Sequence, residues 1–161
     1  MASLCERHPA RDHLLANQCR CTLDQLPAVA LSRKPGNYVV YLLRDSQSNK
    51  TYIGSSNHLW NRYRQHIGEL KGGAKYTARW KGVPLLVGFV AGFPNKKEAL
   101  SFEWRAKRPG RSPSFLTALE HRHYWRKTAV STRAVTRLGH LVRTAGHPRF
   151  ESLKLSLYLI H

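Results

Sequence analysis

Five side chains between positions 41 and 103 have the types that hydrolysis of a phosphate ester calls for. Tyr41 and Tyr52 carry phenols that can hold or pass a proton. Arg62 and His66 lie four apart, the spacing that puts two residues on one helix face. Glu103 is a lone carboxylate in a very basic segment, between Phe102 and Trp104. Cleaving a phosphodiester needs a base for water, cations on the phosphate and usually a metal. One carboxylate, completed by water and phosphate oxygens, suits Mg²⁺, which keeps several waters and rarely takes an all-protein cage. Each residue also has an ordinary reading. The tyrosines could be plain strand residues, Arg62 a solvated helix residue, His66 a structural hydrogen-bonding group, and Glu103 the partner of a Lys or Arg.

The elements that must position these groups can be read from periodicity. Tyr38 to Leu43 is β-branched and aromatic and predicts a buried strand. Asp45 to Lys50 is turn material, and Thr51 to Gly54 resumes as a strand, so the two form a hairpin with one Tyr on each arm. Tyr41 and Tyr52 face one site only if their register agrees. Leu59, Tyr63, Ile67 and Leu70 predict a helix over Asn57 to Leu70, capped by Asn57. A basic loop follows from Lys71 to Gly82. Its Lys71, Lys75, Tyr76, Arg79, Trp80 and Lys81, with Arg64 before it, mix cations with stacking rings and predict a DNA-strand contact. Leu85 to Phe93 predicts a third strand. Asn95 and Glu98 have the form of a capping box opening a helix through Lys107. Beyond Pro109 the pattern predicts helices near Ser114 to Lys127 and Ser131 to Thr144. A strand with one buried face is predicted over Ser152 to Ile160. The expected organisation is a loosely ordered leader (1–36, with a short helix near Asp12 to Cys19), a core (37–108) and a C-terminal helical extension with a terminal strand (109–161).

The 161 residues include 27 Lys and Arg against 9 Asp and Glu, a net charge of +18. The core holds +9 of it and the extension +7, so the charge belongs to the parts that look folded and not to a tail. Such a surface attracts phosphate backbones. Apolar content of 42% is enough for a core, which excludes a disordered basic tail. No apolar run reaches the roughly 20 residues of a bilayer span, and no signal-peptide pattern opens the chain. The three Cys all fall in the first 21 residues, which argues against a disulfide scaffold and for a reducing compartment. Cys5, His8, His13, Cys19 and Cys21 are zinc-ligand types, but their spacing fits no usual finger.

Taken in order, these residues resemble the GIY-YIG nuclease superfamily, through Val39-Val40-Tyr41, Tyr52-Ile53-Gly54, Arg62 and Glu103. The match is closer to its Slx-type branch, through Gln65-His66, Gly72-Gly73-Ala74 with Thr77, Gly92-Phe93-Pro94 and Phe102-Glu103-Trp104. The chain departs from that branch at Val39 for Gly, Ile67 for Asn and Tyr76 for Arg, and at Ala106-Lys107-Arg108-Pro109 for Trp-Gln-His-Pro. The resemblance implies an α+β domain, a small antiparallel sheet flanked by helices, with Mg²⁺ or Mn²⁺ on Glu103. It also implies that Tyr41 helps deprotonate water, that Tyr52 and Arg62 contact the phosphate, and that His66 has a less settled role. The substrates implied are branched DNAs (flaps, forks, Holliday junctions) in nuclear repair and recombination. Cytoplasmic residence and a viral protein in a host cell are the alternatives. No Cys follows Cys21, so no counterpart is expected here of the branch's RING-like domain, which docks its scaffold partner. The expectation is an enzyme acting alone or as a homodimer. Its rivals are a nucleic-acid binder that kept the fold without catalysis, and a homing, restriction or excision-repair nuclease of the same superfamily.

Overall fold

The computed structural model describes residues 18–31, 36–108 and 132–160. Its centre is a five-stranded sheet in the order β1-β5-β4-β2-β3: Gln18–Cys21, Ser156–Ile160, Pro84–Phe93, Tyr38–Asp45 and Thr51–Ser56. Neighbours pair antiparallel except β1 with β5, which pair parallel. Among the described residues four α-helices accompany it: α1 (Ala28–Leu31), α2 (Leu59–His66), α3 (Lys96–Lys107) and α4 (Thr132–Ala145). The sheet flanked by helices, with a final strand, is the architecture expected.

Strand β2, between β4 and β3, is buried on both faces, which is why its sequence is a continuous apolar run rather than an alternation: Val39 to Leu43 are all inaccessible to solvent. One face of the sheet, through Val40, Leu42 and Ile53, packs on α3 and α4 by way of Phe102, Leu138 and Leu141. The other, through Val39, Tyr41 and Leu43, packs on Leu59 and Tyr63 of α2 and on Leu26 and Ala30 of the N-terminal segment. β5 has one buried face, and its Leu157 and Leu159 point toward α3 and α4.

Three expectations change in detail. Residues 18–31 are not a loose leader: they add strand β1 to the sheet, and Cys21, Leu26 and Ala30 are buried. The hydrogen bonds that order β1 come from β5, at the far end of the chain, where local periodicity cannot register them. Helix α2 is capped by His58, not Asn57, with the imidazole Nδ1 accepting from Asn61 N–H at 3.2 Å, and it ends at His66 instead of running to Leu70. Helix α3 starts as expected, with the Asn95 side chain accepting from Glu98 N–H at 2.9 Å. The helices expected near 12–19 and 114–127 fall wholly or mostly outside the described residues, as do Cys5, His8 and His13. No helix of the described residues is long and apolar enough to cross a membrane.

Candidate active site

The hairpin register decides where the two phenols go. Tyr41 lies opposite Gly54, and Tyr52 lies opposite Leu43. The tyrosines are therefore diagonal neighbours on one face, with ring centroids 6.2 Å apart. Gly54 makes this possible. A Cβ built there would sit 2.5 Å from the Tyr41 hydroxyl oxygen and 2.7 Å from Tyr52 Cε1. Only a residue without a side chain lets the Tyr41 ring lie across β3 and reach helix α2.

A chain of hydrogen bonds then runs through α2. The Thr77 hydroxyl donates its one proton to Ala74 C=O at 3.0 Å, so toward His66 it can only accept. His66 therefore carries its proton on Nδ1 and donates to Thr77 at 2.8 Å, leaving Nε2 to accept from the Tyr41 hydroxyl at 2.7 Å. The Tyr41 oxygen in turn accepts from Arg62 Nε at 3.3 Å. Arg62 Nη1 donates to Gln65 Oε1 and to Gly72 C=O, each at 2.8 Å. Gly73 lets this loop close on the helix: a Cβ there would meet Gln65 C=O at 2.5 Å. Burial, and then the Arg62 charge, lower the His66 pKa to about 4, so the ring is neutral. Burial, and then the neighbouring Tyr52 phenol, hold the Tyr41 proton well above the ordinary tyrosine range, against the opposing pull of Arg62. Tyr41 is fully buried, whereas Tyr52 is half-buried and reaches the surface.

Glu103 approaches from the opposite face. Along β3, Tyr52 and Gly54 point one way and Ile53 and Ser55 the other. From α3, Glu103 accepts the Ser55 hydroxyl on Oε2 at 2.6 Å, and its Oε1 takes the Lys107 ammonium one turn along the helix. That ammonium also lies 5.4 Å from the Tyr52 ring centroid. The site thus straddles β3, the terminal strand of the described sheet, with the phenols and Arg62 on one side and the carboxylate on the other. Beside Arg62 opens a cleft of about 330 Å³, lined among others by Ser55, Asn57, Asn61, Gln65 and Lys96.

No cluster of three or more His, Cys, Asp or Glu forms a metal site among the described residues. The donor set is one carboxylate whose side chain is 16% exposed. It fits a hard, largely hydrated cation such as Mg²⁺ or Mn²⁺ and not a caged zinc.

The structure brings together Tyr41, Tyr52, Arg62, His66 and Glu103. In the basic loop, Lys71, Lys75, Arg79 and Lys81 are exposed. Tyr76 is 52% exposed and stacks near Tyr52, with centroids 6.3 Å apart. Trp80 is a correction: it is 8% exposed and packs in the core cluster that holds Tyr41 and Tyr63. Its aromatic bulk fills the space under the loop instead of offering a stacking face. Arg64 is paired with Glu69 at 2.8 Å, which lessens the charge it offers to a phosphate. Sequence reasoning assigned no role to Ser55 or Lys107; the Lys107 signal was its i,i+4 spacing from Glu103.

Residues 37–115 match the model of the GIY-YIG catalytic domain, so the chain carries a nuclease domain of this type. The chain is similar to proteins named structure-specific endonuclease subunit SLX1. It is 40% identical to the one from Cryptococcus neoformans over 94 residues, which is 56% of this chain and 19% of that protein. To the one from Malassezia globosa it is 43% identical over 86 residues, 53% of this chain and 19% of that protein. The Ajellomyces capsulatus protein gives 34% over 133 residues, 79% of this chain and 29% of that protein. The chain therefore spans less than a third of the length of these relatives.

Proposed function

We propose that the chain is a divalent-metal-dependent endonuclease that hydrolyses a phosphodiester in branched DNA (flaps, forks, Holliday junctions) during nuclear repair and recombination. The observation that carries the reading is the meeting of Arg62, Tyr52 and Glu103 across the edge strand β3. There a strand of DNA can pass without crossing the sheet.

In this reading Arg62 binds the scissile phosphate. Three acceptors hold its Nε and Nη1, which presets the guanidinium for the phosphate oxygens. Glu103 holds the metal, Mg²⁺ or Mn²⁺, which when bound neutralises charge on the phosphate and acidifies water. Tyr52, the phenol at the surface, orients the attacking water. The role expected of Tyr41 is revised: its hydroxyl is sealed between His66 and Arg62 and burial keeps it protonated, so it positions Arg62 and does not meet water. His66 and Thr77 hold Tyr41 in turn. The surface of Lys71, Lys75, Tyr76, Arg79 and Lys81 tracks the backbone without reading sequence. Because the relatives are named as subunits, a partner chain belongs to the proposal.

Cleavage by the purified protein tests the reading, on labelled flap, fork, Holliday-junction and linear duplex DNA, with Mg²⁺, with Mn²⁺ and with chelator. Metal-dependent cutting of a branched substrate, faster than of linear duplex, is expected. Tyr52→Phe should lower turnover at saturating DNA more than Tyr41→Phe does; the reverse order would restore Tyr41 as the water-facing group.

A further inference from the structure

The carboxylate read as the metal ligand already holds a cation of the protein's own. Lys107 Nζ sits on Glu103 Oε1 while Ser55 occupies Oε2, so both oxygens are engaged. The ammonium lies over the edge strand, 5.4 Å from the Tyr52 ring centroid, between the carboxylate and the surface phenol. Its side chain is 38% exposed, and its flexible four-carbon stem can carry the charge elsewhere without disturbing the core.

Where else it could go is limited. Of the four acids in residues 37–108, Asp45 is buried and accepts from Ser48, Gln47 N–H and Gly82 N–H. Glu69 is paired with Arg64 and Glu98 with Arg149. An ammonium that leaves Glu103 therefore finds among residues 37–108 no other carboxylate left to receive it, and bound DNA would bring a phosphate to this place.

We propose that Lys107 is a resident counter-ion. It fills the cation position on Glu103 in the free protein and moves to a backbone phosphate when DNA arrives, so that metal and DNA are taken up together. This rests on the reading of Glu103 as the metal ligand. In the free protein a divalent ion must displace the ammonium and then bear its repulsion. With DNA present the displaced ammonium gains a new partner. Metal and DNA thereby raise each other's affinity, by the same factor in both directions.

The test uses the full chain, its Lys107→Gln and Glu103→Gln variants, and Mn²⁺ binding followed by electron paramagnetic resonance without DNA. Lys107→Gln should bind Mn²⁺ about fivefold more tightly than the parent, equivalent to ~1 kcal/mol, and Glu103→Gln should lose the site. Flap-DNA affinity is then measured with Ca²⁺ and with chelator. Ca²⁺ should strengthen binding by the parent more than by Lys107→Gln. Equal or weaker Mn²⁺ binding by Lys107→Gln, with the site lost in Glu103→Gln, would overturn the counter-ion proposal alone. Unchanged Mn²⁺ binding by Glu103→Gln would remove Glu103 as ligand, and both readings would fall. Matching thermal unfolding of parent and Lys107→Gln checks that the fold is intact.

Discussion

Gly54→Ala perturbs the site at the point where its geometry is tightest. The added methyl would stand 2.5 Å from the Tyr41 oxygen and 2.7 Å from Tyr52 Cε1, where non-bonded atoms prefer about 3.5 Å or more. Something must move by roughly 1 Å. The backbone there is fixed by pairing on β2, so the phenols give way. Moving Tyr41 by that amount stretches its 2.7 Å bond to His66 past the hydrogen-bond limit and strands a buried hydroxyl. Overpacking costs about 1–3 kcal/mol and the unsatisfied hydroxyl about 1–3 more. A loss of ~2–6 kcal/mol is expected, which at this chain length lowers Tm by roughly 4–24 °C. Arg62 would lose its Nε acceptor but keep Gln65 and Gly72, so the guanidinium turns rather than detaches. Turnover on saturating flap DNA should fall by about 100-fold, with DNA affinity nearly unchanged because the basic loop is untouched. The assay pairs thermal unfolding with single-turnover cleavage at a temperature where the variant is folded. A variant that melts within a degree of the parent and cuts within threefold of its rate would refute the reasoning.

Other outcomes follow from the same geometry. The folded-state pKa of His66, about 4, lies below its ordinary 6.5, so between these values the unfolded chain binds a proton that the fold excludes. Stability from this group is full above about pH 6.5 and is lost as pH falls toward 4, by up to about 3 kcal/mol; in denaturant unfolding, His66→Gln should lack that share of the slope. Tyr76→Ala should weaken single-strand binding by about 1–3 kcal/mol, whereas Trp80→Phe should change it less than twofold while leaving the buried indole N–H, which has no partner, no longer to be accommodated; equal losses in a binding titration would return Trp80 to the surface reading. Asp45→Ala removes the acceptor that ties the hairpin turn to Gly82 N–H at 2.9 Å and should cost about 3 kcal/mol in chemical unfolding.

Much of the fold was legible because local pattern and tertiary role coincide. The run from Tyr38 to Leu43 announced a strand covered on both faces, and Leu59 and Tyr63, four apart, announced α2, although the helix ends before Ile67 and Leu70. Asn95 with Glu98 placed the start of α3 to the residue. Strand β1 was not legible, since Gln18–Cys21 is four residues of mixed character and its partner β5 begins at Ser156. Trp80 misled because it sits among Lys and Arg, and burial is decided by what packs beneath a loop rather than by its neighbours in sequence. For the site, residue types and order picked out five groups that the fold brings together, but not how they are arranged. That Tyr41 is sealed and Tyr52 is not depends on the hairpin register and on the missing side chain at Gly54. Lys107 was visible as an i,i+4 partner of Glu103, yet only the geometry shows its ammonium reaching across β3 to Tyr52.

The central claim is that DNA is cut at a metal held by Glu103 and a phosphate held by Arg62. It is tested most directly by comparing parent and Glu103→Gln protein on one flap substrate, measuring binding and single-turnover cleavage with Mg²⁺ or Mn²⁺. The variant is expected to bind the flap as tightly as the parent and not to cut it, while the parent cuts only when metal is present. Equal cutting by Glu103→Gln, or cutting by the parent in chelator, would contradict it.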